Sequence, residues 1–208
     1  RNAVCGDTDA GTSIKIDNAD DYDSKISTLT DQLFIAKYPG KLGNSLKVRC
    51  IDSHGWATSV SAGAPADMQA KFKASFDRAP GTSTDVANAG GTNDEMHVLV
   101  IDEDGLWTGT PGEVLEAHGY VSKATDAKRI DGSTNYIGNV LRNESEYVWL
   151  GKVAELTANS VVAGRSAGQA KAGGDFKSFD NSTDINKFPG GSLTGGVDGN
   201  TLTDSELQ

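Results

Sequence analysis

A serine-hydrolase pattern is the first chemical signal in the sequence. Gly164-Arg165-Ser166-Ala167-Gly168 matches Gly-x-Ser-x-Gly, in which the serine stands exposed on a strand-to-helix turn. In the α/β-hydrolase order a catalytic histidine follows the serine, but His54, His97 and His118 all precede Ser166. A glycine-rich polar tract also follows Ser166, where that fold requires a helix. The motif alone therefore does not predict a hydrolase.

The chain order His54, Asp102, Ser166 is also that of a trypsin-like triad. Such a triad is defined by geometry and not by spacing, so the order alone is weak evidence. Asp102 ends an apolar run beside Glu103 and Asp104, where a solvated turn is the simpler interpretation. We therefore expect no serine-hydrolase site.

Two pairs of neighbouring carboxylates, Glu103 with Asp104 and Glu113 with Glu116, raise glycoside cleavage as an alternative. That reaction requires two carboxyl groups roughly 5–10 Å apart across a substrate groove. Neighbours on a turn seldom face one groove, and Glu113 is expected to cap a helix. We expect neither pair to be catalytic.

Metal and phosphate sites have weak sequence support. Asp7-x-Asp9 resembles the start of a calcium loop, but Thr12 stands where glycine is needed and Asn18 where a bidentate glutamate is needed. The three histidines lack the spacing of a zinc site. Gly40-x-x-Gly43 lacks the Lys-Ser/Thr ending of a phosphate loop and is interpreted as a turn. The sequence thus predicts no catalytic residue, metal or cofactor.

Composition restricts the partners. The 208 residues carry a formal charge of −10, and no basic run could follow a phosphate backbone or an anionic membrane. No apolar run approaches the roughly 20 residues that cross a bilayer. Cys5 and Cys50 are too few for a disulfide framework, and we expect reduced thiols. We therefore predict neither nucleic-acid nor membrane binding.

The strongest structural signal is the apolar, β-branched run Met96–Ile101, which predicts a strand covered on both faces. Glu103-Asp104-Gly105 predicts a turn after it. A short helix is expected next, because Thr110 and Glu113 form a capping box with Pro111 between them and Gly119 at the end.

The other elements are predicted by periodicity. Residues 1–31 are interpreted as a surface strand and a solvated loop, and residues 79–94 as a linker. Together the patterns indicate an α+β fold with a mostly antiparallel sheet. The remaining predicted strands are Leu33–Ala36, the alternating Leu46–Asp52, Tyr147–Val153 and an edge at Ser160–Ala163; the predicted helices begin at Pro65, with Met68, Phe72 and Phe76 on one face, and at Tyr136, with Ile137, Val140 and Leu141 buried.

Composition changes near the carboxyl end. Residues 166–200 are rich in glycine, serine, aspartate and asparagine, which predicts a flexible insertion that is the first target of proteolysis. Thr203-Asp204-Ser205-Glu206 then reads as a capping box, and the chain ends at Gln208. Together with the absence of an initiator methionine, this leads us to expect an internal piece of a longer protein.

Several segments, taken together, resemble a known family. They follow one collinear order over roughly half of the chain, and none is a generic fold motif. The resemblance is to the tail sheath protein of contractile-tailed bacteriophages. The segments are Lys37–Leu46, Asp102–Glu116, Val121–Lys128, Asp131–Tyr136 and Ser145–Trp149.

The resemblance implies a middle domain of the sheath subunit, with a mostly antiparallel two-layer β-sandwich and short flanking helices. It implies three parts: a sheath middle domain at 1–165, the glycine-rich insertion at 166–200, and the start of a truncated following domain at 201–208. The implied function is mechanical. Subunits polymerise around the tail tube and contract to drive it through the host envelope, with other sheath subunits, tube and baseplate proteins as partners in the virion tail.

The alternative is a receptor- or carbohydrate-binding β-sandwich module of a phage tail or adhesin. It predicts an aromatic groove built from exposed Trp56, Trp107 and Trp149. We expect instead that these residues lie in the core, with Trp107 packing the predicted short helix against the sheet.

Overall fold

The computed structural model describes residues 1–5, 12–57, 66–151, 168–172, 174–176, 178 and 190–199. Strands and short helices alternate along this part of the chain. The strands are β1 (Asn2–Cys5), β2 (Phe34–Pro39), β3 (Leu46–Ile51), β4 (Gly91–Thr92), β5 (Glu95–Asp102), β6 (Glu113–Ser122), β7 (Val148–Leu150) and β8 (Gly174–Asp175); the helices are α1 (Ala19–Lys25), α2 (Ser53–Ala57), α3 (Ala66–Ser75), α4 (Thr84–Asn88) and α5 (Ile137–Glu144).

Two antiparallel three-stranded sheets form the fold, in the orders β1-β2-β7 and β3-β5-β6. Their inward side chains belong to one hydrophobic cluster, for example Phe34 and Ala36 of the first sheet with Val48 and Val98 of the second. The α+β class with a mostly antiparallel, two-layer arrangement and short flanking helices is therefore confirmed. A parallel pair of short strands, β4 and β8, lies apart from both sheets.

Strand β5 is the centre of the second sheet, as the apolar run predicts. It pairs with β3 on one side and β6 on the other, and all of its residues are buried. The alternation of β3 is also confirmed, because Leu46, Val48 and Cys50 are buried while Lys47 and Arg49 are partly exposed.

The predicted short helix from Thr110 to Gly119 is wrong. Residues Glu113–Ser122 form β6, which pairs with β5 along its length. A capping box contributes only about 1 kcal/mol, and pairing with a buried strand satisfies a whole row of backbone groups. Pairing in the tertiary structure therefore outweighs the local helix signal.

Predicted helices α3 and α5 are confirmed. Met68 and Phe72 are buried against β5, and Phe76, just beyond α3, is partly buried beside them. On α5, Ile137, Val140 and Leu141 are buried.

One strand and two helices lie where the sequence was interpreted as loop or linker. Strand β1 is entirely buried at the edge of the first sheet. Helix α1 carries Asp20 and Asp21 in its first turn and begins there because the Asn18 side chain accepts from the Asp21 backbone N–H. Helix α4 lies inside the predicted linker, with Ser83 as its N-cap.

The described residues of the range 166–200 pack against the rest of the fold. Phe176 and Leu193 are buried. Backbone hydrogen bonds join Thr194 to Val4 and Leu193 to Leu46. Two apolar side chains of this range therefore belong to the buried interior, while the flexibility predicted for the whole of 166–200 stays a prediction. The predicted strand at Ser160–Ala163 and the capping box at Thr203–Glu206 lie outside the described residues.

Candidate functional site

Asp102 organises the loop between β5 and β6. Its Oδ1 accepts from the Ser45 hydroxyl at 2.6 Å, and its Oδ2 accepts from the backbone N–H groups of Trp107 at 3.0 Å and Thr108 at 2.8 Å. The Thr108 hydroxyl also donates to Oδ2, at 2.9 Å. Burial opposes ionisation of this carboxyl, but these hydrogen bonds outweigh it and lower its pKa.

This arrangement argues against a triad. The partners of Asp102 are loop groups, and none is His54, whose own backbone N–H donates to Asp52. Ser166 and the rest of the Gly-x-Ser-x-Gly motif, except Gly168, lie outside the described residues. Asp102, the last residue of β5, is therefore a carboxylate that binds the following turn, but it is buried and not solvated as the sequence predicts.

The two carboxylate pairs have separate structural roles. Glu103 forms an ion pair with Lys47, while Asp104 is exposed. Glu116 accepts from the Ser145 hydroxyl at 2.7 Å and lies 3.0 Å from Nε2 of His118. Burial disfavours ionised Glu116, yet these donors prevail and lower its pKa. Glu113 is exposed at the start of β6.

Metal ligands do not cluster in the described part of the chain, where no group of three or more His, Cys, Asp or Glu side chains could hold an ion. The residues Asp7 and Asp9 of the calcium-like pattern lie outside the described residues. Gly40 has φ of 101° at the entry to a short 3₁₀ turn, which confirms the turn interpretation. Cys5 and Cys50 are free and buried, and burial raises the pKa of the Cys5 thiol to about 11.

The three tryptophans belong to three different clusters. Trp149 is buried and stacks on Tyr22 at 5.1 Å, and Trp56 lies edge-on to His97 at 5.8 Å. Trp107 packs against the main core between both sheets. They do not form one groove.

We call Tyr38, Trp107 and Tyr147, together with Leu106, the exposed residue that precedes Trp107, the aromatic patch. The Trp107 ring is edge-on to Tyr147 at 5.0 Å and tilted against Tyr38 at 5.5 Å. Its partners are thus side chains from β2 and from the segment before β7, and not the predicted helix. The indole N–H is buried and has no hydrogen-bond acceptor in the described part of the chain. Leaving such a donor unpaired costs about 1–3 kcal/mol.

A second surface feature is a cleft of about 750 Å³ beside Arg78 and Tyr120. The Arg78 guanidinium lies 3.9 Å from the Tyr120 ring centre, and its Nη1 is 3.1 Å from Glu95 Oε2. The Tyr120 hydroxyl donates to Asp77. Ile130 also lines the cleft and is fully exposed in the turn between Lys128 and Thr134.

Tyr120 has an unusual backbone for a non-glycine residue, with φ of 56°, in a bulge of β6 opposite His97. Such a conformation costs roughly 1–3 kcal/mol and persists only when neighbours hold it. The Tyr120 N–H donates to Nδ1 of His97 at 3.1 Å, and its carbonyl accepts from Asn135 at 2.9 Å. Burial lowers the pKa of His97 to about 4, which keeps the imidazole neutral.

The neighbouring glycine, Gly119, explains part of this geometry. A Cβ there would lie 2.8 Å from the Phe76 ring, so only glycine allows the ring to stack on His97 at 3.9 Å. Gly119, predicted to end a helix, lies in β6 instead, and neither the cleft nor the aromatic patch was predicted from the sequence. The pairing of β5 with β6, which creates them, is not encoded in any short motif.

Several polar groups of the cleft are paired with other side chains. In the cleft, the Ser83 hydroxyl donates to Asp94 at 2.8 Å and Asp85 is paired with Lys171 at 2.7 Å. The Tyr120 hydroxyl is committed to Asp77.

Comparison of the chain with models of known protein families and with curated proteins found no match. Within the described residues, no helix is both long and apolar enough to cross a membrane.

Proposed function

We propose that this chain is a structural domain of the sheath subunit of a contractile bacteriophage tail. The observation that carries the proposal is spatial: segments that resemble the sheath family, although separated in sequence, contact one another around the β5–β6 loop. Tyr38 of the first segment contacts Trp107 of the second, and Trp107 contacts Tyr147 of the last. Ser45 donates to Asp102 at 2.6 Å.

The same segments are also joined near the start of β6. Ser145 donates to Glu116 at 2.7 Å, and the backbone N–H of Glu146 donates to the same carboxylate at 2.6 Å. The resembling residues thus stabilise one another, as expected if the resemblance marks a shared architecture. A carboxylate that accepts hydrogen bonds from loop amides makes that loop rigid. Rigid subunits are what a contractile lattice requires, because contraction changes the interfaces between subunits.

Under this proposal the subunit polymerises around the tail tube and contracts to drive it through the host envelope. Its partners are other sheath subunits and the tube and baseplate proteins, and it resides in the virion tail. The proposed domain at 1–165, the insertion at 166–200 and the following domain at 201–208 belong to the same proposal. No catalytic residue, cofactor or metal is assigned.

The test is assembly of the complete protein that contains this chain. We expect negative-stain electron microscopy of the purified protein to show helical tubes with a hollow lumen, and antibodies raised against this chain to decorate them. A protein that stays monomeric at every concentration, with no labelling of any contractile tail, would reject the proposal.

The receptor- or carbohydrate-binding alternative predicts that Trp56, Trp107 and Trp149 share a groove, which their separate clusters do not support. A glycan-array screen tests it directly. Specific glycan binding that Trp107→Ala abolishes, with an unchanged melting temperature, would favour the alternative over the sheath proposal.

A further inference from the structure

The aromatic patch contains exposed apolar side chains. Among the described residues only five large apolar side chains are strongly exposed, and Tyr38 (48%) and Leu106 (60%) both belong to the patch. Leu42, a third, lies in the short turn between Tyr38 and Ser45. Clustering of exposed apolar groups distinguishes an interaction surface from the scattered single residues of ordinary surfaces.

The rim of this patch is acidic. Asp104 and Glu146 are exposed, and neither carboxylate has an ion-pair partner in the described part of the chain. Asp104 precedes Leu106 in a turn whose two backbone N–H groups, those of residues 104 and 106, donate to the Ser45 hydroxyl at 3.2 and 3.3 Å. Glu146 adjoins Tyr147. Each free charge is therefore carried by a residue within two positions of a patch residue in the sequence.

The lysine side chains near the patch already have carboxylate or carbonyl partners. Lys47 is paired with Glu103, and Lys41 lies 3.9 Å from Asp198. The Lys37 ammonium donates to the carbonyl oxygens of Leu141, Arg142 and Ser145. The acidic surroundings also affect Tyr147, because burial and then the negative charges of Glu116 and Glu146 raise its pKa.

We propose that the aromatic patch of Tyr38, Leu106, Trp107 and Tyr147, with its rim of Asp104 and Glu146, docks a basic segment of a partner protein that carries arginine or lysine between apolar side chains. Guanidinium and ammonium groups bind both the faces of aromatic rings and free carboxylates. The apolar side chains of the segment would cover Leu106 and Tyr38. Arginine and aromatic residues are also the groups that contribute most at protein interfaces.

This inference does not depend on the sheath proposal. It concerns a surface of the folded chain, and it can be tested without any tube being formed.

The probe is a fluorescein-labelled peptide of alternating arginine and leucine, measured by anisotropy, with a glutamate–leucine peptide of equal length as its control. We expect the basic peptide to bind, to quench tryptophan fluorescence and to weaken with added salt. Leu106→Ser and Tyr38→Ser should each weaken binding about tenfold. Leu106 is more than half exposed and Tyr38 about half exposed, so we expect both variants to remain folded, which their melting temperatures check.

Matched control variants separate the patch from the overall negative charge. Ile130→Ser and Val197→Ser remove exposed apolar side chains elsewhere and should bind as the original protein does. Asp131→Asn, in another exposed turn, should weaken binding less than Asp104→Asn.

Three results would overturn the proposal. The first is equal affinity for the acidic and basic peptides, or equal weakening by Leu106→Ser and Ile130→Ser. The second is self-association in sedimentation that Leu106→Ser abolishes, which would assign the patch to a second copy of the chain. The third is glycan binding lost in the same variant, which would assign it to a carbohydrate.

Discussion

Replacing Asp102 by alanine should destabilise the chain by about 2–4 kcal/mol. The carboxylate accepts hydrogen bonds from Ser45, from the Trp107 backbone, and from both the backbone and hydroxyl of Thr108. Hydrogen bonds to a charged group contribute about 1.5–3 kcal/mol each when measured singly. Their sum overstates the loss, because exposed Thr108 recovers water while the buried Ser45 hydroxyl and the partly buried Trp107 amide recover less.

Equilibrium urea unfolding of the 208-residue chain measures this loss as a lower midpoint at unchanged slope. The matched control is Asp104→Ala, two residues further along the same loop, where the carboxylate is exposed. Its free energy of unfolding should change by less than about 0.5 kcal/mol. Asp102→Asn should fall between the two, because its amide oxygen can face the loop donors while its NH₂ faces Ser45.

The pH dependence gives a second, independent readout. The folded-state pKa of Asp102 is lowered, so its stabilisation is fully present above the usual aspartate pKa near 3.9 and is lost as pH falls through the lower folded value. Asp102→Ala should therefore flatten the acid limb of the stability profile. A variant within about 1 kcal/mol of the original chain, with an unchanged acid limb, would refute the assigned role.

Three further predictions follow from buried groups. Because the pKa of His97 is lowered from 6.5 to about 4, the free energy of unfolding should fall by at most roughly 3 kcal/mol as pH drops between these values. His97→Gln should remove this pH dependence in urea titrations, and an unchanged pH dependence would contradict burial of a neutral imidazole. Gly119→Ala should cost about 1–3 kcal/mol in thermal unfolding, because the added Cβ would meet the Phe76 ring; no shift would show that the ring can move. Cys5 and Cys50 should react with a thiol reagent at pH 8 only as fast as the chain opens, since burial raises the pKa of both; rapid labelling of folded protein would disprove it.

The sequence by itself determined the elements whose signal is local. The apolar run of β5, the period-two alternation of β3 and the amphipathic faces of α3 and α5 each state which residues are buried. A strand or helix with such a pattern is stable only when its apolar face is buried, so the pattern specifies the orientation of the element. The turn at Gly105 and the reduced cysteines follow from residue chemistry in the same manner.

Only the tertiary structure decided the segment from Thr110 to Ser122. Its capping box favours a helix locally, but the edge of buried β5 offers a full row of hydrogen-bond partners, and the segment becomes β6. That choice places Tyr120 against His97, brings Trp107 to Tyr38 and Tyr147, and so creates both surface features. Contacts between residues distant in sequence determine these positions, and no pattern within the segment itself records them.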